Sequence, residues 1–220
     1  MLRYWLTPNT NKRVIIVNTL TPAIDRLFRT YYGYCESWTM DSLFNLLTSL
    51  HSLDDKLNSK FGRVMFDLPE YIALKALRNY FHHQSEVQNV LRIKHLDGLA
   101  VPTDLLYACL VSEDSCREAL QGVASKYRDK TEEAFCEVFK VWGRVIDINP
   151  CVFNCVTKVF ILLADRGLKG TSKEYNEFVE SFVFETENGY SHFVTGGFSV
   201  HPANINQLIS SMELLYSEQI

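Results

Sequence analysis

Little in this chain could span a bilayer, staple a small fold or cradle a nucleotide. Its apolar runs are short, as in VFILLA at 159–164, far below the roughly 20 residues a membrane-crossing helix needs. The first residues, MLRYWLTPNTNKRVIIVNTL, lack the apolar stretch and small-residue cleavage site of a signal peptide, so the cytoplasm is the expected compartment and no membrane partner is expected. Six cysteines (Cys35, Cys109, Cys116, Cys136, Cys151 and Cys155) are scattered without a CxxC pair. Their expected state is reduced and mostly buried, not a disulfide framework. Both Gly-x4-Gly-Lys-Ser/Thr and Gly-x-Gly-x2-Gly are absent, so the TGG at 195–197 is no phosphate loop. No internal repeat, low-complexity tract or Gly/Ser/Pro linker divides the chain.

What is present is the composition of a globular protein able to bury a sizeable core, with 47% apolar and 22% charged residues over 220 positions. The net charge is −4, and it is unevenly spread. Residues 1–110 hold 12 Lys and Arg against 10 Asp and Glu, whereas 111–220 hold 10 against 16. An acidic chain of this kind can still bind nucleic acid through one local basic patch.

The apolar periodicity predicts a mainly α protein with minor β elements. RVIIV (13–17) can form a short strand. Thr21-Pro22 reads as an N-cap followed by Pro at the first helical position, opening a helix to about Tyr32. A second helix is expected from Thr39 to about Leu57, because Leu43, Leu46, Leu47, Leu50 and Leu53 repeat at three and four. A third begins near Leu68-Pro69-Glu70. Between Val87 and Ser112 the pattern is irregular, and VLRIKHL (90–96) and LLYACLV (105–111) fit short strands or helix equally. Helical patterns return at 114–121, 125–142, 150–165, 173–185 and 203–217. Arg166-Gly167 reads as a Gly stop, and NGYSHFVTGGFSVHP (188–202) as a hairpin or ordered loop.

The densest polar group inside an apolar helical pattern is in LRNYFHHQ, residues 77–84. At about 100° per residue, Arg78 and His82 lie within about 40° of each other, while His83 sits about 140° round from Arg78. One straight helix cannot aim Arg78 and His83 at a single point; His82 as the natural neighbour, a helix end near Gln84-Ser85, or a second molecule would each resolve this. Between 75 and 95 the chain carries Lys75, Arg78, Arg92 and Lys94, with His82, His83 and His95, against the single acid Glu86. Such a stretch can track a phosphate backbone, and Tyr80 or an exposed Phe81 could stack on bases.

Arg78-Asn79-Tyr80-Phe81-His82-His83 resembles the Arg-x(4–6)-His signature of the HEPN superfamily, here in its Arg-Asn-x3-His form. Arg78, Asn79 and His83 match position by position, and His82 comes one residue early. The resemblance covers about 39–85. It implies a helical-bundle domain spanning 1–220, with a motif-bearing core at about 21–165, a C-terminal elaboration at 166–220, and additional helices and minor β elements. It also implies a metal-independent endoribonuclease with no cofactor, whose two Arg/His pairs meet across a homodimer. Arg78, Asn79 and His83 would be catalytic, and His82, Lys75, Arg92 and Lys94 are candidate substrate-binding residues. The implied partners are RNA, a second copy of the chain and an antitoxin or inhibitor protein, in a toxin or phage-defence setting. One toxin branch carries Tyr two residues beyond the motif His; Ser85 stands there, so control by modification of that Tyr is not implied. The alternative is a catalytically inactive module of the same kind that binds RNA, a nucleotide or a protein, and a third reading leaves LRNYFHHQ as a plain helix surface.

The residue types suit metal-free RNA cleavage. Imidazole titrates near neutrality and can serve as base or acid. A guanidinium stays charged and forks onto phosphate oxygens, and Asn79 would orient one of these groups. Weaker candidates are Cys151 and Cys155 (i, i+4), read as buried thiols in preference to metal ligands, and His192 and His201 flanking the Gly pair. A Cys–His hydrolase drawn from Cys35 or Cys109 with His51 or His192 lacks any nucleophile motif. The acids of KEYNEFVESFVFETE read as a wet helix face.

Overall fold

A computed structural model describes residues 11–37, 39–83, 90–95, 105–195 and 205–217. Eight helices and four short strands alternate along these residues, a mainly α architecture with minor β elements. The long first helix, α1 (Asn11–Glu36), overturns the strand expected at RVIIV and the helix start expected at Thr21. Pro22 lies inside it. A β-branched run has only a weak strand preference, and a helix already nucleated propagates through it. From Leu20 onward α1 buries Leu20, Ala23, Ile24, Leu27 and Phe28, a stripe at helical spacing.

Helix α2 (Met40–Phe61) starts where its cap signal lies. The Ser42 amide donates to Thr39 Oγ1 and the Thr39 amide donates to Ser42 Oγ, both at 3.1 Å. This reciprocal pair satisfies two amides that the helix itself cannot. A single 3-10 turn (Val64–Asp67) leads into α3 (Pro69–His83), with Pro at its first position. Helix α3 packs against α2, α4, α5 and α6, the later two being Ser125–Val138 and Asn149–Asp165, with α4 at Glu113–Gln121. Tyr71, Ala73, Leu74 and Leu77 are accordingly buried. Helix α6 is buried nearly all round, through Val152, Cys155, Val156, Val159 and Leu163, and stops where Gly167 takes φ +67°. Among the described residues no helix is long and apolar enough to cross a membrane.

The ambiguous middle resolves into β1 (Val90–His95) and β2 (Leu105–Ser112), paired antiparallel with Val90 opposite Leu110 and His95 opposite Leu105. Two further strands, β3 (Val141–Trp142) and β4 (Val145–Asp147), complete an antiparallel sheet in the order β1-β2-β4-β3. Ala108, Cys109, Leu110 and Val111 of β2 are all buried. Both faces of this inner strand are therefore covered, which erases the alternation that marks a half-exposed strand. The helix expected over 125–142 ends at Val138, because Phe139 turns extended and Gly143 at φ +66° reverses the chain between β3 and β4.

Helix α7 (Lys173–Asn188) packs on α1, and α8 (Ile205–Ser217) packs on the sheet. Buried Asp25 of α1 accepts from the amides of Thr171 and Ser172 at 2.6 and 2.9 Å and from Thr171 Oγ1 at 2.9 Å, clipping α1 to the start of α7. Leu168 and Tyr175 join the same apolar core as α1–α3 and α6. No strand forms at 189–195, and the rest of the hairpin or loop expected at 188–202 lies outside the described residues.

Candidate functional site

The seam between α2 and α3 places the motif. The two helices run antiparallel, with three rungs of contact. At the first, buried Asp54 of α2 accepts from the Tyr71 hydroxyl and, at 2.9 Å, from Lys75 Nζ. At the second, Leu47, Leu50 and His51 of α2 enclose a void of about 10 Å3 with Leu74, Lys75 and Arg78 of α3. At the third, the His82 ring stacks on Phe44, with centroids 6.1 Å apart and planes at 28°. Arg78 and His82 therefore share the α2-facing side of α3, as their four-residue spacing requires.

Arg78 is half-buried. Its Nη1 donates to Asn79 Oδ1 at 3.2 Å, and its Nε is buried with no hydrogen-bond partner. A buried donor left unpaired costs about 1–3 kcal/mol, so this nitrogen requires an explanation. Asn79 is exposed and points the other way round the helix, into a cleft of about 340 Å3 between α3, α4 and α5. The Arg78–Asn79 bond thus joins two concave regions on either side of α3. His51, at the second rung, pairs its Nδ1 with Asp55 Oδ2 at 3.2 Å.

The other sequence candidates fall differently. Lys75, expected to bind substrate, is instead engaged by Asp54 in a partly buried ion pair and lies 4.9 Å over the Phe66 ring. Burial of Asp54 draws the nearest ammonium inward. His83 is the last residue of α3, and its side chain lies outside those described. Arg92 and Lys94 sit on β1 opposite Ala108 and Leu106 of β2, with side chains likewise outside the described set. Tyr80 is half-buried with its hydroxyl on Glu118, and Phe81 packs against the core. Cys151 and Cys155 are buried in the core, and every cysteine is a free thiol. Among the described residues no three His, Cys, Asp or Glu side chains form a metal-holding group.

Cys35 and His192 do line one cleft, of about 420 Å3, together with Tyr31, Phe182 and Glu185. His192 lies flat on Phe182 at 3.7 Å, with Nδ1 2.6 Å from Glu185 Oε2 and Nε2 3.1 Å from Thr186 Oγ1. Burial raises the Cys35 thiol above its ordinary pKa, which disfavours the thiolate a Cys–His hydrolase needs. His201 lies outside the described residues. Sequence inspection missed Arg63, Phe66 and Tyr127, which face Asn79 across the α3–α5 cleft. They come from separate elements and share no pattern in the sequence.

No known protein family, no curated protein and no solved structure matches this chain.

Proposed function

We propose that this chain is a metal-independent endoribonuclease of the HEPN kind, working as a homodimer. The observation that carries the reading is Arg78: a half-buried guanidinium, held at Nη1 by Asn79, with a buried Nε that has no acceptor. Natural proteins tolerate such a cost mainly where a ligand or a functional state repays it. A phosphate drawing the guanidinium toward solvent would supply the missing acceptor.

In this reading Arg78 grips the scissile phosphate and stabilises the charge that grows on its non-bridging oxygens. One imidazole takes the proton from the ribose 2′-OH, whose oxygen attacks phosphorus. A second imidazole protonates the 5′ oxygen as its bond to phosphorus breaks, leaving a 2′,3′-cyclic phosphate and a 5′-OH end. His83 is the motif imidazole. Its position about 140° round from Arg78 makes a composite site from two protomers the economical arrangement, with each chain supplying one imidazole. Asn79 orients Arg78, and His82, fixed on Phe44, flanks the phosphate path.

The test is cleavage of end-labelled RNA in EDTA by wild type, Arg78→Ala and His83→Ala at matched concentration. Cutting by wild type with cyclic phosphate ends, and a loss of about 10²–10⁴-fold in each variant, is the expected result. Wild type that leaves RNA intact, or variants that cut equally well, would overturn the assignment. RNA binding without cutting would move the protein to the inactive binding module.

A further inference from the structure

The α3–α5 cleft beside Asn79 has an electrostatic character the rest of the protein lacks. No Asp or Glu lines it, although the chain carries 26 acids against 22 Lys and Arg. Lys75 at its base is neutralised by Asp54. Arg63 is different: it is exposed, and among the described residues no carboxylate pairs with it. Its guanidinium lies 5.0 Å from the Phe66 ring centroid and 4.9 Å from that of Tyr127, and its Nη1 donates to the Tyr127 hydroxyl. Lys126 Nζ stands 4.8 Å from the same Tyr127 ring. The hydrogen bond from Arg63, then that from Lys126, lowers the Tyr127 pKa, a sign of the positive field there. Helix α5 begins alongside with no side-chain cap and no acid in its first turn, so its dipole adds to that field.

A guanidinium clasped between two rings has already given up much of its rotamer freedom, so little more is lost when it binds. Its planar fork suits phosphate oxygens. We propose that this cleft binds a phosphodiester of single-stranded RNA flanking the scissile one, with Arg63 as the phosphate-binding residue and Lys126 as a second cation. The proposal rests on the endoribonuclease reading. Asn79 lines the cleft and holds Arg78, so a strand gripped by Arg78 continues naturally into it.

The experiment measures anisotropy of a fluorescein-labelled 2′-O-methyl RNA, which lacks the attacking hydroxyl and stays intact, across a salt series. Wild type, Arg63→Gln, Lys126→Gln and the remote control Lys173→Gln are compared, with urea melts confirming that each folds. Arg63→Gln is expected to weaken binding about tenfold and to reduce the slope of log affinity against log salt by about one, the signature of one lost phosphate contact. Lys126→Gln should do so more weakly and the control not at all. On cleavable RNA, Arg63→Gln should raise KM with kcat kept, whereas Arg78→Ala should lose kcat. A folded Arg63→Gln with wild-type affinity and slope would overturn the cleft while leaving the nuclease standing. RNA that is never cut, yet bound with an Arg63-dependent slope, would remove the nuclease and keep the cleft. No RNA binding by the wild type would overturn the cleft outright.

Discussion

Replacing Arg78 with Met tests directly whether that residue is kept for function at a cost to the fold. Met keeps an unbranched stem of similar reach and a similar helix propensity, so packing against Leu74 and the α2 seam survives. What disappears is the buried Nε without a partner, worth about 1–3 kcal/mol of destabilisation in the wild type. Also lost is the exposed Nη1–Asn79 bond, whose net contribution is about 0.5–1 kcal/mol. The balance predicts that Arg78→Met is about 1 kcal/mol more stable than wild type, or about 2–4 °C higher in Tm for a chain of this size, while RNA cleavage is lost. Urea unfolding at neutral pH, followed by circular dichroism and compared at equal slope, reads the difference. A variant less stable by 1 kcal/mol or more would refute the reasoning, since Arg78 would then hold the α2–α3 seam together.

Other parts of the structure carry their own expectations. Lys75→Met leaves Asp54, only 3% exposed, with the Tyr71 hydroxyl as its remaining donor; it should cost about 2–4 kcal/mol in urea, and a loss under 1 kcal/mol would show that the ammonium is dispensable. Asp147 accepts from the amides of Cys109 and Asn149 at 2.9 and 3.1 Å, but burial outweighs these bonds and pushes its carboxyl from 3.8 up to about 6. The folded chain therefore holds this proton to higher pH than the unfolded chain does. The resulting stabilisation is complete below about pH 4 and is lost as pH rises through about 6, by at most about 3 kcal/mol. Asp147→Asn should flatten that fall in urea midpoints between pH 4 and 6, and an unchanged or steeper fall would count against it. Gly143→Ala would force a side chain to adopt φ +66° and put its Cβ against Glu213 and 2.8 Å from Ile209 Cγ2. A loss of about 1–3 kcal/mol in thermal unfolding is expected, and an alanine variant as stable as wild type would show that the β3–β4 turn relaxes freely.

Local signals in the sequence determined α2 and α3 closely: Thr39 and Ser42 cap one, Pro69 opens the other, and leucines at three and four name the buried faces. The same arithmetic put Arg78 and His82 on one side of α3 and turned Asn79 away, because helical phase depends only on spacing. Phase alone could not say what those sides meet. Only the tertiary structure decided that Arg78 would face His51 across α2 with its Nε unpaired, that Asp54 would capture Lys75, and that β2 would be covered on both faces and so lose its alternation. The same holds for the cleft where Arg63 meets Tyr127, 64 residues further along the chain. Contacts between distant segments follow from how whole helices pack to bury their apolar faces, and no window of sequence encodes the side chains that such packing happens to bring together.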